Sequence, residues 1–338
     1  MTAAHVLVRS WLEPILGDAV VESVEGITHL LWPGGQAPRL LLLGHLDTVF
    51  PLGTLIGRPF ARDDDRLTGP GVFDMKSGVV IMAEALATAR HARDVAVLLT
   101  SDEETGSSTS RGLIEREAAR AGSVLVLEPS LAGALKVARR GGSMYRLDVH
   151  GRSAHAGLEP WAGRSALTEL AHQVLALPAL ADEERGTTVN PTVARAGTAT
   201  NVIPDHAELR VDVRAETIAE LERVDRAMRA LRAHTPDVGV VVTGGVNRPP
   251  MERASSEELL ATARSVAAHL GQSDLDAVSA GGASDGNFTA AVGARTLDGL
   301  GPNGGGAHAV DEWVSLASTL ERIDLVAGII DLVAAEPR

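Results

Sequence analysis

The chain has 338 residues, 45% of them hydrophobic and only 3% aromatic, so an aliphatic core large enough for two domains is expected. It contains no cysteine, which excludes a disulfide framework and a thiolate metal site and leaves His, Asp and Glu as the available metal ligands. A formal net charge of -13 argues against a nucleic-acid partner, because displacing counterions from phosphate needs a basic stripe.

Residues 1–11 show neither the apolar run nor the cleavage pattern of a secretory signal, so a cytoplasmic location is expected. Residues 39–43 read as a buried strand running into Gly44-His45-Leu46-Asp47-Thr48. Side chains alternate along a strand, so His45 and Asp47 are expected to project together. One can bind an ion through a ring nitrogen while the other accepts the opposite N–H and fixes the tautomer. An ordinary turn is the competing reading of the same residues.

Short apolar strands at 95–100 and 124–127 alternate with helical spacing at 77–90 and 110–121, each helix opening on a serine. The apolar stretch 79–87 is too short to cross a bilayer and carries Glu84, so no membrane partner is expected. The alternation implies an α/β class with a mostly parallel mixed sheet and helices on both faces. Ligands of such sheets bind beyond the carboxyl ends of the strands. His45, Glu103, Glu104 and Glu128 fall there.

Near Gly141 the pattern changes. Residues 145–149 and 208–213 alternate polar and apolar, as in a sheet with one solvated face, with helices at 164–177 and 217–234. After Gly244-Gly245 the α/β character returns, with Ser255-x-x-Glu258 as a capping box and a last helix at 316–335. A catalytic domain of residues 1–140 and 247–338 is thus expected, interrupted by an α+β domain with an antiparallel sheet at 141–246.

Four further motifs carry chemistry. Gly69-Pro-Gly-Val-Phe-Asp74-Met-Lys76-Ser-Gly places an acid in a glycine-rich loop, where its two oxygens could bridge two ions. Thr100-Ser-Asp102-Glu103-Glu104-Thr-Gly106 sets three acids in a row at a strand end, which repel unless protons or cations intervene. Glu128 ends the next strand, before Pro129, and His308 lies in Gly304-Gly-Gly-Ala-His308-Ala-Val-Asp-Glu312. Two histidines with several carboxylates suit Zn²⁺, with Co²⁺ or Mn²⁺ as alternatives. Charge balance favours two ions: Asp74, Glu104, Glu128 and a hydroxide offset two dications.

This set, in this order, resembles the di-zinc exopeptidase family of glutamate carboxypeptidase, aminoacylase, acetylornithine deacetylase and succinyl-diaminopimelate desuccinylase, and is closer to the first branch. The resemblance implies that His45, Asp74 and Glu128 hold one zinc, and that Asp74, Glu104 and His308 hold the other. It implies Glu103 as general base and Asp47 as the partner of His45. The inserted domain would be a dimerisation lid whose His155, in Gly151-Arg-Ser-Ala-His155-Ala-Gly, reaches the other subunit's active site. Relatives usually carry a further helix ahead of the segment 6–17.

For the substrate, Asn201 and Arg214 match positions that grip an α-carboxylate, and Lys136 matches one that reads a glutamate side chain. Only two of the 31 basic residues are lysines, Lys76 and Lys136, and both lie within the motif region. Arg139-Arg140-Gly-Gly-Ser looks more like the deacylase members. The resemblance therefore implies a zinc-dependent amide hydrolase on a small amino-acid or peptide substrate. It releases a C-terminal amino acid, with glutamate the named candidate, or removes an N-acyl group. A rival of another class is a serine hydrolase, because Gly282-Ala-Ser284-Asp-Gly286 matches a nucleophile elbow and Asp298 and His308 follow in triad order.

Overall fold

The computed structural model describes residues 2–335; the outermost residues of the expected catalytic segments, 1 and 336–338, lie outside the described residues. The chain forms two compact units, one running up to Arg139 and resuming at Met251, the other Arg140–Pro250.

The first unit is built on a six-stranded sheet in the order Val20–Val24, Ile27–Trp32, Val95–Thr100, Leu40–His45, Ser123–Val126, Arg295–Leu297. The first two pairings are antiparallel and the other three parallel. Leu40 and Leu42 pack on the face covered by the helices Ala3–Leu16, Ser77–Thr88, Glu257–Leu270 and Leu316–Ala335. Leu41 and Leu43 pack on the other face, against Leu113 and Ile114 of Arg111–Ala121 and Phe288 of Gly286–Ala291. Covering both faces is what turns these strands into unbroken apolar runs.

Parallel register then aligns the strand ends. His45 pairs with Thr100 and Leu43 with Val126, so the segments after His45, Thr100 and Val126 leave the sheet at one edge. A four-stranded sheet of Gly304–Gly305, Trp313–Ser315, Arg66–Thr68 and Ala61–Asp63 brings the loop after Thr68 beside the loop that holds His308. Close packing at this edge requires glycine at Gly78, where a Cβ would lie 2.0 Å from the Leu127 carbonyl oxygen.

The expected capping box is absent. Ser256, not Ser255, precedes the helix Glu257–Leu270, and its hydroxyl donates to the Val137 carbonyl at 2.9 Å. Glu258 pairs instead with Arg295.

The second unit is a four-stranded antiparallel sheet in the order Thr188–Ala196, His206–Ala215, Gly141–His150, Gly239–Arg248. Helices Ala166–Ala176 and Ile218–Arg229 cover one face through Leu170, Leu221 and Val224 against Leu147, Leu209 and Val211. Ser165 and Thr217 cap the two helices by accepting the amides of Thr168 and Glu220. The helix expected over 217–234 ends at Arg229, and the amides of His234 and Thr235 turn to the Glu169 carboxylate at 2.9 and 2.7 Å. Among the described residues no helix is long and apolar enough to cross a membrane.

Candidate metal centre

His45 is the last residue of its strand and only 2% exposed. Its Nδ1 faces the Asp47 backbone carbonyl at 3.0 Å and the Asp47 carboxylate at 3.4 Å. Asp47 lies beyond the ladder, so the two residues meet through the turn that follows the strand, not through strand alternation. The Asp47 carboxylate also accepts the Glu104 amide at 3.0 Å. On the other side, His45 Nε2 faces Asp74 Oδ1 at 3.1 Å and Glu128 Oε1 at 3.5 Å. Burial would lower the pKa of this imidazole, but the bonds to Asp47, Asp74 and Glu128 outweigh it and raise it well above 6.5. Both ring nitrogens face acceptors, so the surroundings demand positive charge at this position.

Asp74 sits in the tight turn Val72–Lys76 that feeds the helix Ser77–Thr88. Its two oxygens face different partners. Oδ1 faces His45, while Oδ2 lies 3.3 Å from His308 Nε2, which is also 3.2 Å from Glu104 Oε2. One ligand atom each from His45, Asp74 and Glu104 falls within a 4.8 Å group.

The three consecutive acids diverge. Asp102 is buried and accepts the Thr109 amide and hydroxyl, both at 2.7 Å, so it supports the start of the next helix instead of crowding the site. Glu103 and Glu104 remain at the site, in the short turn Glu103–Thr105. Asp285 ties the two sides of that turn together, accepting the Ser107 hydroxyl at 2.5 Å and the Thr100 hydroxyl at 3.2 Å. Burial, then the nearby Asp74 charge, pushes the Glu104 carboxyl above its usual pKa, and its Oε1 is buried without a hydrogen-bond partner. Glu128 goes the other way: burial opposes its ionisation, but His45, Arg139 and Lys136 hold it at about 2.

A bare buried carboxylate oxygen, two imidazoles and carboxylates grouped around Asp74 fit divalent cations, which would satisfy the charge and the vacant lone pairs together. The group opens into a cavity of about 430 Å³ lined by Glu103, Glu104, Glu128, Lys136, Arg139 and His308. Lys136 Nζ has no hydrogen bond or ion pair among the described residues, and burial followed by the Arg139 charge lowers its pKa. Arg139 is fully engaged: Asp298 takes it at 2.7 and 3.1 Å, the Gly282 carbonyl at 3.0 Å, and Glu128 lies 3.8 Å away.

Three sequence-derived residues lie in the second unit. His155 pairs with Val202 across a short two-stranded ladder, and the Ala156 amide donates to the Asn201 carbonyl at 2.9 Å, so His155 and Asn201 adjoin. His155 Nδ1 accepts the amides of Gly157 and Leu158, both at 3.1 Å, which leaves the ring proton on Nε2. Arg214 forks onto Asp212 at 2.9 and 2.8 Å.

Residues 41–332 match the sequence pattern described as Peptidase family M20/M25/M40. The chain belongs to this family. Carboxypeptidase G2 of Pseudomonas sp. (strain RS-16) is 32% identical over 336 residues, covering 94% of this chain and 77% of its own. Succinyl-diaminopimelate desuccinylase of Halorhodospira halophila (strain DSM 244 / SL1) is 31% identical over 326 residues, covering 89% and 85%. Among solved structures, aminopeptidase PepT of Bacillus cereus ATCC 10987 superposes with a TM-score of 0.73 at 22% identity, over 98% of this chain and 92% of that one. As an M20 member the protein is a hydrolase of peptide or amide bonds.

Within this M20 chain the serine-hydrolase alternative fails on geometry. Ser284 is 1% exposed and donates its proton to Asp298 at 2.7 Å, while His308 faces Asp74 and Glu104. Among the described residues no histidine bonds to the Ser284 hydroxyl. What the motif does instead is orient Asp298 toward Arg139. Sequence reading missed Asp285, Asp298, Arg139 and Glu312 as supports of the centre. Of these only Glu312 left a local signal, four residues after His308 in the same loop.

Proposed function

We propose that the protein is a dinuclear zinc-dependent amide hydrolase that releases a C-terminal amino acid, glutamate first, from a peptide or N-acyl amino acid. The observation that carries this reading is the division of the Asp74 oxygens between His45 with Glu128 and His308 with Glu104. His45, Asp74 and Glu128 would hold one ion, and Asp74, Glu104 and His308 the other. When bound, the pair supplies Lewis acidity to the scissile carbonyl and to the attacking water.

The chain's own residues do the rest. Glu103 takes the water proton on a carboxylate oxygen and hands it to the departing nitrogen. Asp47 keeps the His45 proton on Nδ1 and so leaves Nε2 as the ligand atom. His155, with its proton on Nε2, donates to the carbonyl oxygen as negative charge builds, and comes from the partner's lid in a homodimer. Asn201 and Arg214 bind the α-carboxylate, the latter by exchanging Asp212 for substrate. Lys136, a cation without a partner in the cavity, supports an acidic side chain next to the scissile bond. A cytoplasmic location belongs to the same reading.

Removal of an N-acyl group from an amino acid breaks the same kind of bond at the same site, and the desuccinylase relatives favour keeping it in view. Rates on N-acyl glutamates, N-acyl neutral amino acids and dipeptides, with Zn²⁺, Co²⁺ or Mn²⁺ supplied, test the proposal. Turnover led by glutamate derivatives is expected. If no amide is cleaved with any of the three ions, the proposal is wrong.

A further inference from the structure

Glu312 has no place in the chemistry above, yet its side chain is buried at the point where two ligand-bearing segments meet. Its Oε2 accepts the Gly71 amide at 2.7 Å, and its Oε1 accepts the amides of Phe73 and Asp74, each at 2.9 Å. Three donors of one turn therefore converge on one carboxylate 238 to 241 residues further along the chain. Within the turn the Val72 and Lys76 amides reach the Gly69 and Gly71 carbonyls at 3.2 and 2.9 Å, while Gly71 is left-handed at φ 73 and its own amide, with those of Phe73 and Asp74, goes to Glu312. Arg58 stands 3.6 Å from Glu312 Oε2 and offsets its charge.

Glu312 also follows His308 by one short loop, within the hairpin of Gly304–Gly305 and Trp313–Ser315. The same carboxylate thus ties the loop carrying His308 to the turn carrying Asp74. We propose that Glu312 is a positioning residue for the metal centre: it fixes the Asp74 carboxylate so that its two oxygens address His45 and His308 at once. The proposal rests on the dinuclear reading given above. Glutamine at this position could still accept from Phe73 and Asp74, but its amide would set a donor against the Gly71 N–H. The turn would then rotate and spoil the bridge.

The test titrates metal-free wild type, Glu312→Gln and the core control Ile329→Ala with Co²⁺. It reads visible absorption and ions bound per chain. Wild type is expected to take up two ions, and Glu312→Gln to bind about 10–100-fold more weakly with an altered spectrum. The core control loses stability while keeping wild-type affinity and spectrum. Equal binding and spectrum in Glu312→Gln and wild type overturns the positioning role, as does an equal loss in the core control. Failure of wild type to bind any ion overturns the dinuclear reading and this one with it.

Should Glu312→Gln not fold, amide hydrogen exchange in the metal-free wild type decides. Gly71, Phe73 and Asp74 are expected to be protected. Exchange as fast as that of exposed amides overturns the proposal.

Discussion

Arg139 is held 3.8 Å from Glu128 by Asp298, which grips it through two bonds of 2.7 and 3.1 Å. All three side chains are buried, so the fork is an internal ion pair whose spare positive face looks at the Glu128 carboxylate of the candidate centre. Replacing Arg139 by Met leaves Asp298 charged and uncompensated in the interior. Losing one partner of a buried pair costs about 3–5 kcal/mol. Arg139→Met is therefore expected to unfold at markedly lower denaturant, and Asp298→Asn, which turns one acceptor oxygen into a donor but leaves the Arg139 charge facing Glu128, to lose less. Urea titrations of both variants check the order, and the reverse order would sink the argument.

Glu103 lines the cavity beside Glu104, Glu128 and His308. A base that touches only the reacting water should be removable without disturbing the ligands. Glu103→Gln is expected to lower kcat by about 10²–10⁴ while binding the same number of ions as wild type. Turnover assays beside elemental analysis check this. Full activity would remove Glu103 from the role, and lost metal would make it a ligand.

How much of this was legible follows from what each residue touches. Leu40–His45 could be read because both its faces are covered, which writes burial directly into an apolar run. His45, Glu104 and Glu128 could be read because acids and histidines at strand ends have few other duties. The partnership of His45 with Asp47 was legible, but its geometry was not, since the ladder stops two residues too early for alternation to apply. Asp102 looked like a third site acid because sequence does not tell which way a turn aims its side chains. Asp285 and Asp298 stayed hidden as supports, as their partners lie 178 and 159 residues away and no local spacing marks such bonds. Ser284 misled for the opposite reason: a five-residue pattern matched a nucleophile elbow while its hydroxyl served Asp298.

The bare Glu104 oxygen beside Asp74 makes the metal-free centre an unfavourable arrangement. A ligand that binds only the folded chain stabilises it by mass action, about 2.7 kcal/mol at a hundred times its Kd. Adding Zn²⁺ to chelator-treated protein is thus expected to raise Tm, and chelation to reverse the rise along with activity. Thermal melts at several metal concentrations check it. A Tm indifferent to every divalent ion would speak against a site here.

In the second unit, Arg223 bonds, reinforced by Thr187 and Arg185 against an opposing burial effect, hold Glu220 at about 2 instead of 4.5. A lowered carboxyl pKa stabilises the fold above the unfolded value, and that stabilisation disappears as pH falls through the folded value. The contribution of Glu220 is accordingly complete above about pH 4.5 and lost toward pH 2. Glu220→Gln should melt below wild type at pH 6, with the gap closing as the pH approaches 2.5. A gap independent of pH would show that shape, not charge, sets the contribution.

Lys136 offers the sharpest separation of substrate reading from general catalysis. Among the described residues its ammonium makes no hydrogen bond or ion pair, and burial together with Arg139 lowers its pKa, so a bound carboxylate would relieve both effects at once. A hydrogen bond to a charged group contributes about 1.5–3 kcal/mol, which corresponds to a KM change of roughly ten- to a hundredfold. Lys136→Met is expected to raise KM by that factor for N-acyl glutamate and to leave KM for a neutral N-acyl amino acid nearly unchanged. Steady-state kinetics on the two substrates decides, because a cation that merely balances Glu128 would alter both alike. Equal losses would therefore return Lys136 to the support of the metal centre and leave the acidic side chain without a reader in this cavity.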